Sequence, residues 1–163
     1  MKKKGISAVV ATVLIILITV AAVTIIWAAI IPMINNKLTT GTICLDAVSQ
    51  LSIEKKGYTC RTAGNDLKIQ IGHGAKDFGL ADIQVLISSE GNTESINLIK
   101  DGIVASVDNL PGANEEKTFT IPDARITIPT ADIDSISIAP IVKSGGGTEP
   151  CDNLGTVIIK PCN

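Results

Sequence analysis

From Ile6 to Ile34 the chain runs 29 residues without a charged side chain, and Lys2, Lys3 and Lys4 stand just ahead of that run. About 18 or more consecutive apolar residues read as a membrane-spanning helix. As a helix the run is roughly 43 Å long at about 1.5 Å per residue, more than a hydrocarbon core of about 30 Å requires. The flanking lysines assign this end to the cytoplasmic side. A cleavable secretory leader has an apolar stretch of about 7 to 15 residues closed by a small-residue cleavage site. Here the stretch is about twice that, and the small residue, Gly5, sits between the lysines and the run. Scission there would remove the charges and leave the whole helix on the mature chain.

Small and hydroxylated residues are scattered through this segment. Ser7, Ala8, Ala11, Thr12, Thr19, Ala22 and Ala29 fall in one loose arc at about 100° per residue, although isoleucines share it. Such residues let helices approach closely in apolar surroundings, and a helix that is apolar all round is buried in lipid or in a helical core. Trp27 suits either a lipid–water boundary or a packed core. Pro32 predicts a kink or a stop, so the helix is expected over residues 6–36, with Thr39–Thr42 as a hinge.

Beyond Ile43 the pattern changes to short alternating stretches rich in Ile, Val and Thr. Leu67–Ile71, Ile83–Ile87, Ser95–Leu98, Ile103–Val107, Thr118–Ile121, Arg125–Ile128, Ile133–Ile138 and Thr156–Ile159 each read as a strand, with Gly, Asn, Asp and Pro turns between them. Strands at this spacing predict a two-sheet β-sandwich of immunoglobulin-like type. About 125 residues build one such core. The expected fold class is therefore α+β, a long apolar N-terminal helix followed by an all-β head over residues 37–163.

Four cysteines, all beyond the apolar run, point to two disulfides in an oxidising compartment. Three pairings are open to them. The expected one is Cys44–Cys60 with Cys151–Cys162, each closing a short local loop; a crossed pairing tying the base of the head to its C-terminus is the rival. Zinc is disfavoured by a single histidine and the lack of CxxC spacing.

Without residues 1–5 the head and helix carry 14 − 3 = 11 basic against 16 acidic side chains, a net of −5 before the new amino terminus. That balance argues against nucleic acid as a partner. The aromatic residues are Trp27, Tyr58, Phe78 and Phe119, too few for a stacking platform. No nucleophile motif, phosphate loop or haem site occurs. His73 between two glycines reads as a solvated turn residue, and Asp123, Asp132 and Asp134 lack the calcium-loop pattern. The chain reads as structural, with no enzyme activity and no cofactor.

Lys4-Gly5, then Ile6-Ser7, then Ala8-Val9-Val10-Ala11-Thr12-Val13-Leu14-Ile15 resembles the class III leader and N-terminal helix of archaeal type IV pilins and archaellin-like subunits. The resemblance covers roughly residues 2 to 36. Ala8 stands where many relatives have proline, and Val10 stands where the bacterial branch places a glutamate, so the likeness is archaeal. It implies that residues 1–5 are a leader removed by a prepilin peptidase at Lys4-Gly5-Ile6. It also implies that Ile6, Ser7, Ala8, Ala11, Thr12, Thr19, Ala22 and Ala29 pack in a filament core. The implied partners are other copies of the chain, the membrane before assembly, the peptidase and an assembly machinery. The implied place is an extracellular filament serving adhesion or surface attachment. An archaellum subunit or a single membrane-anchored binding module are the alternatives.

Overall fold

The computed structural model describes residues 8–55 and 58–162. Contacts divide the chain into two units, one through Thr39 and one from Thr40 onward. The first consists of α1 (Ala8–Ile25), a π-helical turn (Ile26–Ile30) and the start of α2 (Ile31–Gln50). Lipid offers no hydrogen bonds, so a spanning segment must satisfy its polar groups internally. α1 meets that demand even with its side chains. The hydroxyls of Thr12, Thr19 and Thr24 donate to the carbonyls of Val9, Ile16 and Ala21 at 2.8–2.9 Å.

Helix runs on to Gln50, past the end expected at residue 36, and Thr39–Thr42, expected as a hinge, is helical. Proline at 32 has no N–H for the Ala28 carbonyl, and its ring crowds that carbonyl. The π turn widens the backbone just ahead of it, where the Ile31 N–H bonds the Ile26 carbonyl. The misfit is absorbed inside the helix instead of ending it. Beyond the proline, the Thr39 hydroxyl donates to the Asn35 carbonyl at 2.9 Å.

In the second unit the last turns of α2 pack on the head. Ala47 is fully buried, and Ile43 and Cys44 pack against the same core. Among the described residues nine strands follow: β1 (Leu51–Ile53), β2 (Cys60–Arg61), β3 (Leu67–His73), β4 (Leu80–Ser89), β5 (Asn92–Asn97), β6 (Glu116–Ile121), β7 (Ser135–Ser144), β8 (Gly147–Pro150) and β9 (Leu154–Ile158). They form two antiparallel sheets. In the first, β3 pairs with β1, β2 and β6; in the second the order is β5-β4-β7-β8, with β9 also on β7. β6 runs along Leu67–Gly72 of β3, so β1 and β2 share its other edge, at Ile71–His73 and Leu67–Lys68. β8 and β9 likewise divide one edge of β7 between them.

Alternation sets the core as expected. Leu67, Ile69 and Ile71 of β3, Ile83, Val85 and Ile87 of β4, Phe119 and Ile121 of β6, and Ile136, Ile138 and Val142 of β7 are buried together. Two hairpins turn on two residues each. Glu90-Gly91 has φ of 45° and 88°, and Gly145-Gly146 has 57° and 89°, the left-handed pair that matches strand twist in such turns.

Two stretches expected as strands lie outside the sheets. At 125–128 the backbone is held by a side chain: the Glu94 carboxylate accepts from the Thr127 and Ile128 amides and the Thr127 hydroxyl at 2.8–3.1 Å. At 103–107 the chain follows a turn in which the Val104 amide donates to the Leu98 carbonyl. The buried Asp82 carboxylate anchors that turn, accepting from the Ile83, Ile99 and Lys100 amides at 2.7, 2.9 and 3.2 Å.

The disulfides correct the expected pairing. Cys44 bonds Cys151 and Cys60 bonds Cys162, across sequence separations of 107 and 102, in place of Cys44–Cys60 and Cys151–Cys162. Topology decides it. The C-terminal segment lies parallel to β2, with the Arg61 amide donating to Lys160 and the Cys162 amide donating to Arg61. Cys60 and Cys162 therefore come within 5.0 Å at Cα, and Cys44 and Cys151 within 5.3 Å.

Peptide mapping of the non-reduced protein should recover Cys44–Cys151 and Cys60–Cys162, with no alkylation before reduction. A loop of about 100 residues is worth about 4.7 kcal/mol in the chain-entropy model, so reduction should lower the head's melting temperature by many degrees. An unchanged melting curve would contradict this. Separately, Asp82→Ala should strand the amides it now satisfies, at about 1–3 kcal/mol for each buried donor left unpaired. A denaturant midpoint within error of wild type would show that water replaces the carboxylate.

Candidate functional site

The residues expected at the leader, Lys4, Gly5 and Ile6, and the first assembly residue, Ser7, lie outside the described residues. The others can be placed. Ala8, Ala11, Thr12, Thr19 and Ala22 stand on α1 and Ala29 in the π turn, all exposed. A π turn takes in one extra residue, so the face beyond it swings by roughly 100°. Ala29 lies inside that turn, and the other small residues named here precede it on α1.

The surface around those residues is the unusual feature. No residue of α1 or the π turn is buried. Val9, Ile15, Leu17, Ile18, Ile25 and Trp27 are each at least 60 % exposed. A globular protein does not leave its largest apolar side chains in water over such a length. The run Ala8–Gln50 contains a window long and apolar enough to cross a membrane, with none of it buried. Lipid or other helices are the surroundings that suit it. The described part of the helix offers no titrating group until Lys37, so its capacity is for partition and packing, with no chemistry of bond making.

A cleft of about 350 Å³ is lined by His73, Asp77, Asp108, Glu115 and Lys143 among others. His73 is not the solvated turn residue expected: it ends β3, is 7 % exposed, and stacks on Phe78 with ring centroids 4.8 Å apart and planes 2° from parallel. Its Nδ1 lies 2.8 Å from the Gly74 carbonyl, so that nitrogen is the donor. A hydrogen bond from the Gly112 amide, and then Lys117, hold the Glu115 carboxyl below the usual carboxylate range. Neither a nucleophile with its base nor paired carboxylates result. Asp123 accepts from the Thr130 hydroxyl and Asp134 from the Glu90 amide, so both serve the loops. Among the described residues no group of three His, Cys, Asp or Glu side chains is placed to hold a metal ion.

No family model matches this sequence, and no curated protein is similar to it.

Trp27 is the chain's one tryptophan and is 69 % exposed, which makes it a reporter of what covers the helix. In lipid vesicles its emission should shift to the blue and escape an aqueous quencher. Emission that stays red and fully quenchable would place the helix in water and remove the membrane reading.

Proposed function

We propose that this chain is a filament subunit of the archaeal type IV pilin class. It is made as a membrane-bound precursor, trimmed after Gly5, and polymerised through its N-terminal helix into an extracellular filament that serves adhesion or surface attachment. The observation that carries the reading is an apolar helix left bare by its own chain, behind a basic run and a glycine in the order that class uses. The physical logic is exchange of solvent. Lipid stabilises the helix in the precursor, and neighbouring helices stabilise it in the filament. Lipid tails are about as apolar as the helix, so close packing of the small residues on α1 contributes to the preference for neighbours. Contacts of head-to-tail type that do not close on themselves give open helical assemblies. The acidic, disulfide-bonded head suits the outside of such an assembly.

The mature N-terminus tests this. Sequencing should find Ile6 at the front of the assembled protein, and electron microscopy should find filaments. An intact Met1 on dispersed membrane monomers would favour a fixed anchor bearing a β-sandwich binding module. Gly5→Val should block trimming and leave three lysines on the helix. Each charge carried into an apolar core costs about 2.5–3.5 kcal/mol on the mildest scale, so filaments should be lost while membrane insertion persists. Ala22→Lys should abolish assembly with trimming intact. Normal filaments from either variant would show that the helix is not the assembly core.

A further inference from the structure

The cleft beside His73 holds more fixed acceptors than donors. Asp77, in the β3–β4 connection, accepts the Gly79 amide on Oδ1 at 2.9 Å. Glu115, just ahead of β6, accepts the Gly112 amide on Oε2 at 2.8 Å. Each carboxylate is thus positioned by its own loop through one oxygen, and its other oxygen has no partner among the described residues. Asp108, in the short helical turn Val107–Asn109, lines the same cleft, and its carboxylate has no described partner at all.

His73 adds an acceptor of a different kind. Its ring is more than nine-tenths buried and fixed by the stack on Phe78. Nδ1 is used on the Gly74 carbonyl, so in the neutral ring Nε2 carries a lone pair. Nε2 has no hydrogen-bond partner among the described residues and is not sealed from solvent. Gly74, on the Nδ1 side, lines a neighbouring cleft, which leaves Nε2 for this one. A polar group held this deep without a partner has a free-energy cost that a ligand can relieve.

We propose that this cleft binds an alkylammonium group, its ammonium among the positioned carboxylates and Nε2 of His73 and its carbon chain on Leu80, Val107 and Leu110. An ammonium brings three donors and no acceptor, and its hydrogen bonds to carboxylates are charge-assisted. Among the described residues lining the cleft, Lys143 is the one ammonium against Asp77, Asp108 and Glu115. Lys117, behind the wall, is engaged by Glu115 and by the carbonyls of Asp108 and Leu110. The excess of negative charge disfavours an anion and leaves a neutral alcohol without compensation to offer. Val107, 40 % exposed, supplies apolar surface beside the charges. A volume of about 350 Å³ is at the small end for ligand sites, so the group enters as a free amine or as a single side chain. The cleft is open to water, where ion pairs are weak, and a Kd on the order of 1 mM is expected for a simple amine. This binding goes beyond the filament reading and does not depend on it.

The test titrates the full-length protein in detergent with butylamine, and with butanol and butyrate as matched controls, following amide and imidazole signals by NMR. Butylamine should give saturable shifts at Gly79, Gly112 and the His73 ring, and neither control should. Asp77→Asn with Asp108→Asn should weaken binding on the order of tenfold or more. The fold should be kept, because the asparagine oxygen still accepts the Gly79 amide and Asp108 holds nothing. Glu90→Gln, in the β4–β5 hairpin away from the cleft, should leave binding unchanged. No saturable shift with butylamine, an equal response to butanol or butyrate, or undiminished binding in the double variant with an unchanged melting temperature would each overturn the proposal. Putrescine and Nα-acetyllysine amide separate the sources: tighter binding of the first assigns a free polyamine, and of the second a lysine side chain.

Discussion

The 18 residues of α1 present hydrocarbon and hydroxyls that are bonded back to their own helix, and none of them is buried among the described residues. That constraint orders the rest of the molecule. A surface of this kind is stable only where water is absent, so the protein needs lipid, or other helices, as part of its folded environment. The head faces the opposite demand. It keeps its own apolar residues between two sheets and places polar and charged groups outward. The two requirements meet on α2, which is sequestered on one side by the head and bare on another.

Within the head, stability does not rest on the sheets alone. Each sheet has an edge built from two short pieces, β1 with β2 and β8 with β9. Interrupted edges offer little for another chain to pair with, and they also contribute few hydrogen bonds. Side chains hold the intervening loops instead. The Asp82 carboxylate collects two amides of one loop and Glu94 three donors of another, and the disulfides bring the first and last segments together.

What was legible in the sequence followed periodicity. The apolar run gave a helix, and alternating Ile and Val gave β3, β4, β6 and β7 with their inward faces. What escaped depended on contacts distant in sequence. Pro32 reads as a kink or a stop; a π turn upstream absorbs it and the helix continues, and no local signal distinguishes the two outcomes. Ile103–Val107 and Arg125–Ile128 alternate like strands, but Asp82 and Glu94, far away in the chain, set the backbone of the turn before one and of the other itself. Cysteine pairing by shortest loop fails for the same reason, since β2 and the C-terminal segment become neighbours only after the sheets form. His73 reads as solvated from its flanking glycines, because stacking on Phe78 is invisible to composition.

The crossed disulfides also settle how the head bears load. A pull entering at Cys44 and leaving at Cys162 does not have to travel the 107 steps of chain from Cys44 to Cys151. It crosses the first disulfide and then at most the short stretch from Cys151 to Cys162, or runs from Cys44 to Cys60 and crosses the second. Fully drawn out, the shorter path extends by only about 40 Å at roughly 3.3–3.6 Å per residue. The same span without cross-links would yield about ten times that. Tension on the head is thus carried first by the short stretches that hold β9 and β1, and the chain between Cys60 and Cys151 is spared the full drawing-out that an uncrosslinked head would undergo.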